Sequence, residues 1–426
     1  MHNLDGPRGH WYGGRMSTDT APPAAAPDHA RPTAGLVVLL GTLTAFSPLA
    51  IDMYLPAFPQ IQRDLAAPDG TMELTLSLFL AGLAVGQFVI GPLSDRYGRR
   101  APLLAGCVGF AVAAVGCLLA PAVGWLIAAR FAMGFAGAAG LVISRAVVRD
   151  LFDEAASASV YSLLMMVTGV APVAAPLVGG QLLTFAPWRS VFWVLAAIGL
   201  ACAAAVAATL EESLPRERRA PRLAGVLRRS AGLLAHPTFF GYAAAIGLSS
   251  GALFAYIAAA PTVFMDRFGL SPQAFSGFFA GNAVGLMAMA QVNRRLLPRF
   301  GPHALLMFGA RVSAAAGVGL LIVAATGLGG FWLFYTLLFV CVAMLGLLFP
   351  NAVAAAMAPF AGQAGAASAV LGLLQYAVGA LTGAAVGLLH NGTAVPMAAA
   401  IAVCELGVWR VLSTAERRRA ADRIAA

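Results

Sequence analysis

Residues 74–120, LTLSLFLAGLAVGQFVIGPLSDRYGRRAPLLAGCVGFAVAAVGCLLA, hold two apolar runs, Leu74 to Ile90 and Pro102 to Ala120, joined by the charged stretch Gly91-Pro-Leu-Ser-Asp95-Arg96-Tyr-Gly98-Arg99-Arg100. About 20 apolar residues are needed for a helix to cross the hydrocarbon of a bilayer. Two such runs with a short loop between them therefore predict a helical hairpin that crosses and returns. Gly98 can supply the positive φ of a tight turn, and Asp95, at the end of the second span, can pair with an Arg or a helix N-terminus. That makes a breakable latch. A purely topological basic loop accounts for Arg96, Arg99 and Arg100 but not for Gly91, Asp95 and Gly98 at these spacings.

Working outward, the pattern repeats along the chain. Of 426 residues, 60% are hydrophobic and only 11% are charged, which excludes an ordinary water-soluble domain. The first six spans read Gly35 to Tyr54, Leu74 to Ile90, Pro102 to Ala120, Trp125 to Val147, Val160 to Leu182 and Val191 to Leu210. Six more follow: Phe239 to Val263, Phe275 to Val292, Ala304 to Ala325, Phe331 to Ala352, Ala367 to Leu388 and Val395 to Leu412. The expected division is a disordered cytoplasmic tail over 1–33, a six-helix bundle over 34–210, a cytoplasmic linker over 211–237, a second six-helix bundle over 238–414 and a cytoplasmic tail over 415–426. Met16 offers an alternative start. Arg96-Tyr97-Gly98 after the second span is echoed by Arg299-Phe300-Gly301 after the eighth, as two duplicated bundles would require.

All 27 cations are Arg. On a reading with the N-terminus inside, 22 of them fall in the tails, the even-numbered loops and the span ends that adjoin them, and only Arg63, Arg189 and Arg267 in the odd-numbered loops. Both termini are thus expected in the cytoplasm. The net charge of +9 is spread along one membrane face without aromatic interleaving, so nucleic acid is not an expected partner. Cys107, Cys117, Cys202, Cys341 and Cys404 sit inside apolar runs with no metal-ligand or disulfide spacing, so no metal or cofactor is expected. Rows of small residues, such as Gly82 and Gly86 or Gly379, Gly383 and Gly387, allow close helix approach, and static packing is their simplest reading.

Ionisable residues at membrane depth are costly and mark functional positions. Asp52 in the first span and Arg130 in the fourth lie at matched depths, roughly 6 to 12 Å from the outer face at 1.5 Å rise per residue. Asp52 is the expected proton-binding carboxylate, with Arg130 tuning it; a static ion pair, or an Asp52 open to the outer vestibule, is the alternative. Arg311 and Glu405 are also depth-matched and read as a structural pair. For an apolar, adaptable cavity the candidates are Tyr54, Met133, Met165, Met166, Phe254, Tyr256, Asn282 and Gln375. Each is equally explicable as plain core.

The stretch Gly91 to Arg100 fits the pattern GxLxDRxGRR at every fixed position and resembles the loop between spans two and three of the major facilitator superfamily, a likeness that covers residues 34 to about 414. Ala50-Ile-Asp52-Met-Tyr54-Leu-Pro56 looks like the end of span one in Bcr/CflA-type drug exporters. Leu126 to Phe152, with Arg130, Gly134, Gly137 and Arg149-Asp150-Leu-Phe, is similar to their fourth span. Span five carries Pro176, Gly179 and Gly180 of the antiporter pattern GxxxGPxxGG, with Ala171 and Ala175 in place of its first two glycines.

The resemblance implies an all-α fold of twelve transmembrane helices in two six-helix bundles. It implies a proton-coupled exporter of small amphiphilic drugs in a bacterial inner membrane, running on the proton gradient by alternating access. A monomer suffices for that architecture. A metabolite or amino-acid exporter would use the same machinery. A membrane-embedded enzyme would need facing catalytic groups, and no HExxH or paired Asp site is present; nor is there the repeated loop or charge ring of a channel.

Overall fold

The computed structural model describes His2, residues 33–219, residues 232–233 and residues 236–425. The expected N-terminal tail, most of the linker between the bundles and the side chains of the C-terminal tail lie outside the described residues. Among the described residues every regular element is helical. The N-terminal set is α1 (Ala34–Asp52), the short α2 (Phe58–Asp64), α3 (Thr71–Tyr97), α4 (Arg100–Leu118), α5 (Val123–Leu151), α6 (Glu154–Leu182) and α7 (Arg189–Thr209). The C-terminal set is α8 (Pro237–Pro261), α9 (Pro272–Thr326), α10 (Gly330–Met357), α11 (Ala364–Leu388) and α12 (Val395–Ala425).

Helices begin where short polar side chains can satisfy the free N–H groups of a first turn. Asp153 Oδ1 accepts from Ala156 N at 2.7 Å ahead of α6, and Ser271 Oγ accepts from Ala274 N at 3.2 Å ahead of α9, where Pro272 takes the first helical position.

Among the described residues, eleven helical stretches are long and apolar enough to cross a bilayer, one fewer than the twelve expected runs. The difference is α9, 55 residues long. At 1.5 Å per residue it would reach roughly 80 Å, far beyond a hydrocarbon layer of about 30 Å. It bends at Gly301, whose φ of 75° and ψ of 162° are non-helical, and so crosses twice, as spans eight and nine. Gly98, 203 residues earlier, has nearly the same backbone, φ 95° and ψ 171°. Such angles are open essentially to glycine alone. Arg96 lies 5.3 Å from the Tyr97 ring centroid and Arg299 5.4 Å from that of Phe300. The sequence echo is therefore a repeat of geometry.

Small residues set the helix spacing. Gly82 and Gly86 of α3 and Gly134 of α5 each leave no room for a Cβ against the facing backbone, at Phe131, Phe135 and Phe79 respectively. With little hydrophobic drive between helices in lipid, this close approach supplies the van der Waals contact that holds them. The two sets join along two seams, α3 against α11 and α6 against α9. All five cysteines are free and buried.

Candidate functional site

Asp52 closes α1. It is buried, and its Oδ1 has no hydrogen-bond partner. Arg130, from α5, is fully buried beside the same helix end, yet among the described residues the two form no ion pair. Arg130 Nη1 donates to the Ala50 carbonyl at 2.9 Å, and its guanidinium lies 4.5 Å from the Tyr54 ring centroid and 4.3 Å from that of Phe79. The last carbonyls of a helix lack intrahelical donors and carry its negative dipole end, so a cation there is well placed. Nε and Nη2 of Arg130 remain without partners. Tyr54 is held in turn: Thr75 Oγ1 donates to the Met72 carbonyl at 2.6 Å, so the Tyr54 hydroxyl, 2.8 Å away, donates to Thr75.

Of the eight expected cavity residues, Tyr54 and Met133 gather around Arg130, with Met133 Sδ 3.8 Å from its Nη1. Tyr256 and Asn282 meet in the C-terminal set, where Asn282 Nδ2 donates to the Tyr256 hydroxyl at 2.8 Å and Tyr256 stacks on Phe279. Tyr256 also lies within electrostatic reach of Asp52, so the two sets approach each other here. Phe254 packs on Tyr376, and Gln375 is half-buried on α11. Met165 and Met166 are exposed on α6. The structure does not gather the eight into one cavity. The structural pair expected of Arg311 and Glu405 is not formed either: Glu405 is buried and both its oxygens lack partners, while Arg311 is exposed. Matching depth fixes position along a helix axis but not the direction around it.

The sizeable cavity, about 780 Å³, lies at one end of the seam between the sets and is lined by Arg63, Asp69, Glu73, Asp266, Arg267 and His390 among others. None of the eight lines it. Beside it the sets touch. Glu73 Oε1, on α3, accepts from the Thr262 hydroxyl at 2.7 Å and lies 3.9 Å from His390 Nδ1, while Gly70 and Gly387 meet backbone to backbone. Glu73 is not among the residues expected from sequence, since it lies one position before the apolar run Leu74 to Ile90. Its signal was a lone acid abutting an apolar run.

Of the antiporter-like residues, Gly180 sits on the other seam and Gly179 on the contact of α6 with the end of α1. Gly179 faces the Met53 carbonyl just after α1, and Gly180 faces Pro272 and Ser276 of α9, too closely in both cases for any side chain. Gln273 Nε2 donates to the Gly180 carbonyl at 3.2 Å. Pro176 lies inside α6 one turn earlier.

At the end of the molecule away from the cavity, Arg99 organises the loop Gly91 to Arg100. Its Nε donates to Asp150 Oδ2 at 2.9 Å, and its Nη1 to Asp95 Oδ1 at 2.6 Å and Ser94 Oγ at 2.8 Å. Burial pulls the Arg99 pKa down, but the bonds to Asp150 and Asp95 outweigh it and leave the value raised. The stabilisation is thus complete at any pH below the ordinary arginine range and fades only as pH rises through the raised value. Asp95 pairs with an Arg, as expected, whereas the N-terminus of α4 is capped by Glu212, which accepts from Arg99 N at 2.7 Å and Arg100 N at 3.3 Å. A Cβ on Gly98 would collide with that carboxylate. Asp150 and Glu212 lie 51 and 113 residues from Arg99, beyond the reach of local spacing arguments.

Comparison with known proteins agrees with this architecture. Residues 40–384 match the profile described as Major Facilitator Superfamily. The chain is 38% identical over 367 residues to the uncharacterized MFS-type transporter YdgK of Bacillus subtilis, covering 85% of this chain and 91% of that one. It is 32% identical over 369 residues to the bicyclomycin resistance protein homolog of Haemophilus influenzae, covering 86% and 92%. The multidrug resistance protein MdtL of Escherichia coli is 28% identical, covering 78% and 83%. Among solved structures, a bacterial homolog of the human lysosomal transporter Spinster, inward-facing and occupied, superposes with TM-score 0.65 at 17% identity, covering 89% and 93%. A D-xylose-proton symporter superposes with TM-score 0.62 at 17% identity, covering 88% and 96%. These last two bear on the fold alone. With two helix sets of matching geometry, a glycine-led repeat and relatives across nearly its whole length, this chain belongs to the major facilitator superfamily of membrane transporters, and is not an enzyme.

Proposed function

We propose that this transporter is a proton-driven exporter of small amphiphilic drugs in a bacterial inner membrane, with both termini and the Arg99 loop in the cytoplasm and the 780 Å³ cavity facing outward. The observation that carries the reading is Asp52, a buried carboxyl with an unpartnered oxygen at a helix end where the sets approach. An ionised Asp52 would face the negative end of the α1 dipole with no ion pair of its own, because Arg130 is turned to the Ala50 carbonyl. Proton binding and cargo binding can therefore compete there. The relatives named for bicyclomycin and multidrug resistance support drugs as the cargo class.

The test is uptake of ethidium into everted membrane vesicles energised by a proton gradient. Uptake should stop when nigericin collapses the pH difference, and uptake indifferent to that collapse would overturn the coupling. A second reading, export of a polar metabolite or amino acid, is favoured by the charged lining of the cavity. Growth-inhibition panels against expressing cells separate the two, since only the drug exporter raises tolerance to amphiphilic compounds.

A further inference from the structure

Glu405 has no part in the mechanism so far. It is 1% exposed, on α12, and both carboxyl oxygens lack a hydrogen-bond partner among the described residues. It borders a void of about 10 Å³ lined also by Tyr256 of α8, Leu338 and Cys341 of α10, and Ile401 of α12. That is about the volume that one water molecule fills. Ser313 of α9 faces the same carboxyl with its hydroxyl unpartnered, and Cys404 is its neighbour on α12. The polar side chains named around it, Tyr256, Ser313, Cys341 and Cys404, are all uncharged, and among the described residues Glu405 forms no ion pair. A bare carboxylate is among the most expensive groups such an interior can hold, whereas a carboxylic acid bonded to a water or a hydroxyl is tolerable.

Tyr256 supplies the connection. Its hydroxyl accepts from Asn282 and keeps its own proton free to donate, it lines the Glu405 void, and it lies within electrostatic reach of Asp52 in the other helix set. We propose that Glu405 is a second proton-holding site of this transporter, joined to Asp52 through the Tyr256 hydroxyl. The Glu405 carboxyl gives its proton to a water in the void, which the Tyr256 hydroxyl also lines, and a charge left on Glu405 is felt at Asp52 through that hydroxyl. Only O–H bonds are broken and made, and the proton count is conserved. The proposal rests on the proton-coupled reading of Asp52 but adds a site that reading does not need.

Infrared difference spectroscopy of the purified full-length protein during a pH step tests it without cargo or gradient. The carbonyl stretch of a protonated carboxyl group should be present in the unaltered protein, lost in Glu405→Gln and kept in Glu73→Gln, which controls for the other buried glutamate. Asp52→Asn and Tyr256→Phe should each shift that band. A spectrum unchanged by Glu405→Gln overturns the site, and a band that ignores both Asp52→Asn and Tyr256→Phe overturns the link. To guard against misfolding, glutamate labelled with carbon-13 in its side-chain carboxyl must shift the band in the unaltered protein; a band that does not move is not a glutamate's and also overturns the site. Because no transport is measured, a failure here is distinguishable from vesicle uptake that ignores the pH gradient.

Discussion

At the scale of single residues, Asp52 and Arg130 do different jobs from the mutual pair their depths suggested. Arg130 bonds the end of α1 through the Ala50 carbonyl and lies over the Tyr54 and Phe79 rings. A planar guanidinium can do both at once, and an ammonium cannot. Arg130→Lys should therefore lower stability by about 2 kcal/mol, read as an earlier thermal transition in detergent, although the charge is kept. Asp52→Asn should leave expression and folding intact and reduce gradient-driven ethidium uptake to that of vesicles lacking the protein. Unimpaired uptake would remove Asp52 from coupling. Both positions were legible as charges in apolar runs. Their partners were not, because Phe79 and the Ala50 carbonyl reach Arg130 only once three helices pack.

At the scale of elements, the paired glycines separate backbone strain from collision. Gly301→Ala meets nothing within 4 Å, so it should cost only the strain of its φ/ψ, about 2 kcal/mol. Gly98→Ala carries the same strain and also drives a methyl into Glu212, so its thermal transition should fall further. Equal shifts for the two would show that the Glu212 cap contributes nothing. Asp150→Asn leaves the nearly buried Arg99 short of its main counter-charge, and a loss on the order of 3 kcal/mol is expected. All the side-chain partners of Arg99, namely Asp150, Asp95 and Ser94, belong to the N-terminal set, so this variant should destabilise that set without altering the seams. The Gly98 turn could be read from local spacing, whereas Glu212, beyond four intervening crossings, could not.

For the whole molecule, the deciding contacts lie between the sets. Thr262 and Glu73 bond across the seam beside the 780 Å³ cavity, with His390 close by. Alternating access requires such contacts to open and reform. Thr262→Val removes the donor and leaves Glu73 buried, so the closed arrangement should lose about 1 kcal/mol, roughly a fivefold shift of population. Spin labels at Arg63→Cys and Asn391→Cys should then report a larger share of long distances by pulsed electron resonance. An unchanged distribution would show that this bond does not latch the seam.

The amino-acid order by itself determined the spans, their pairing into two similar sets and the special backbone at Gly98, because hydropathy and glycine conformation act over at most a helix length. Tertiary structure alone decided that Arg130 binds a helix end instead of Asp52, that Glu405 is left without Arg311, and that Glu73 closes a seam. Each depends on which way a side chain points around its helix, and in lipid that rotation is set by the packing of neighbouring helices, which the hydrophobicity of a single span does not encode.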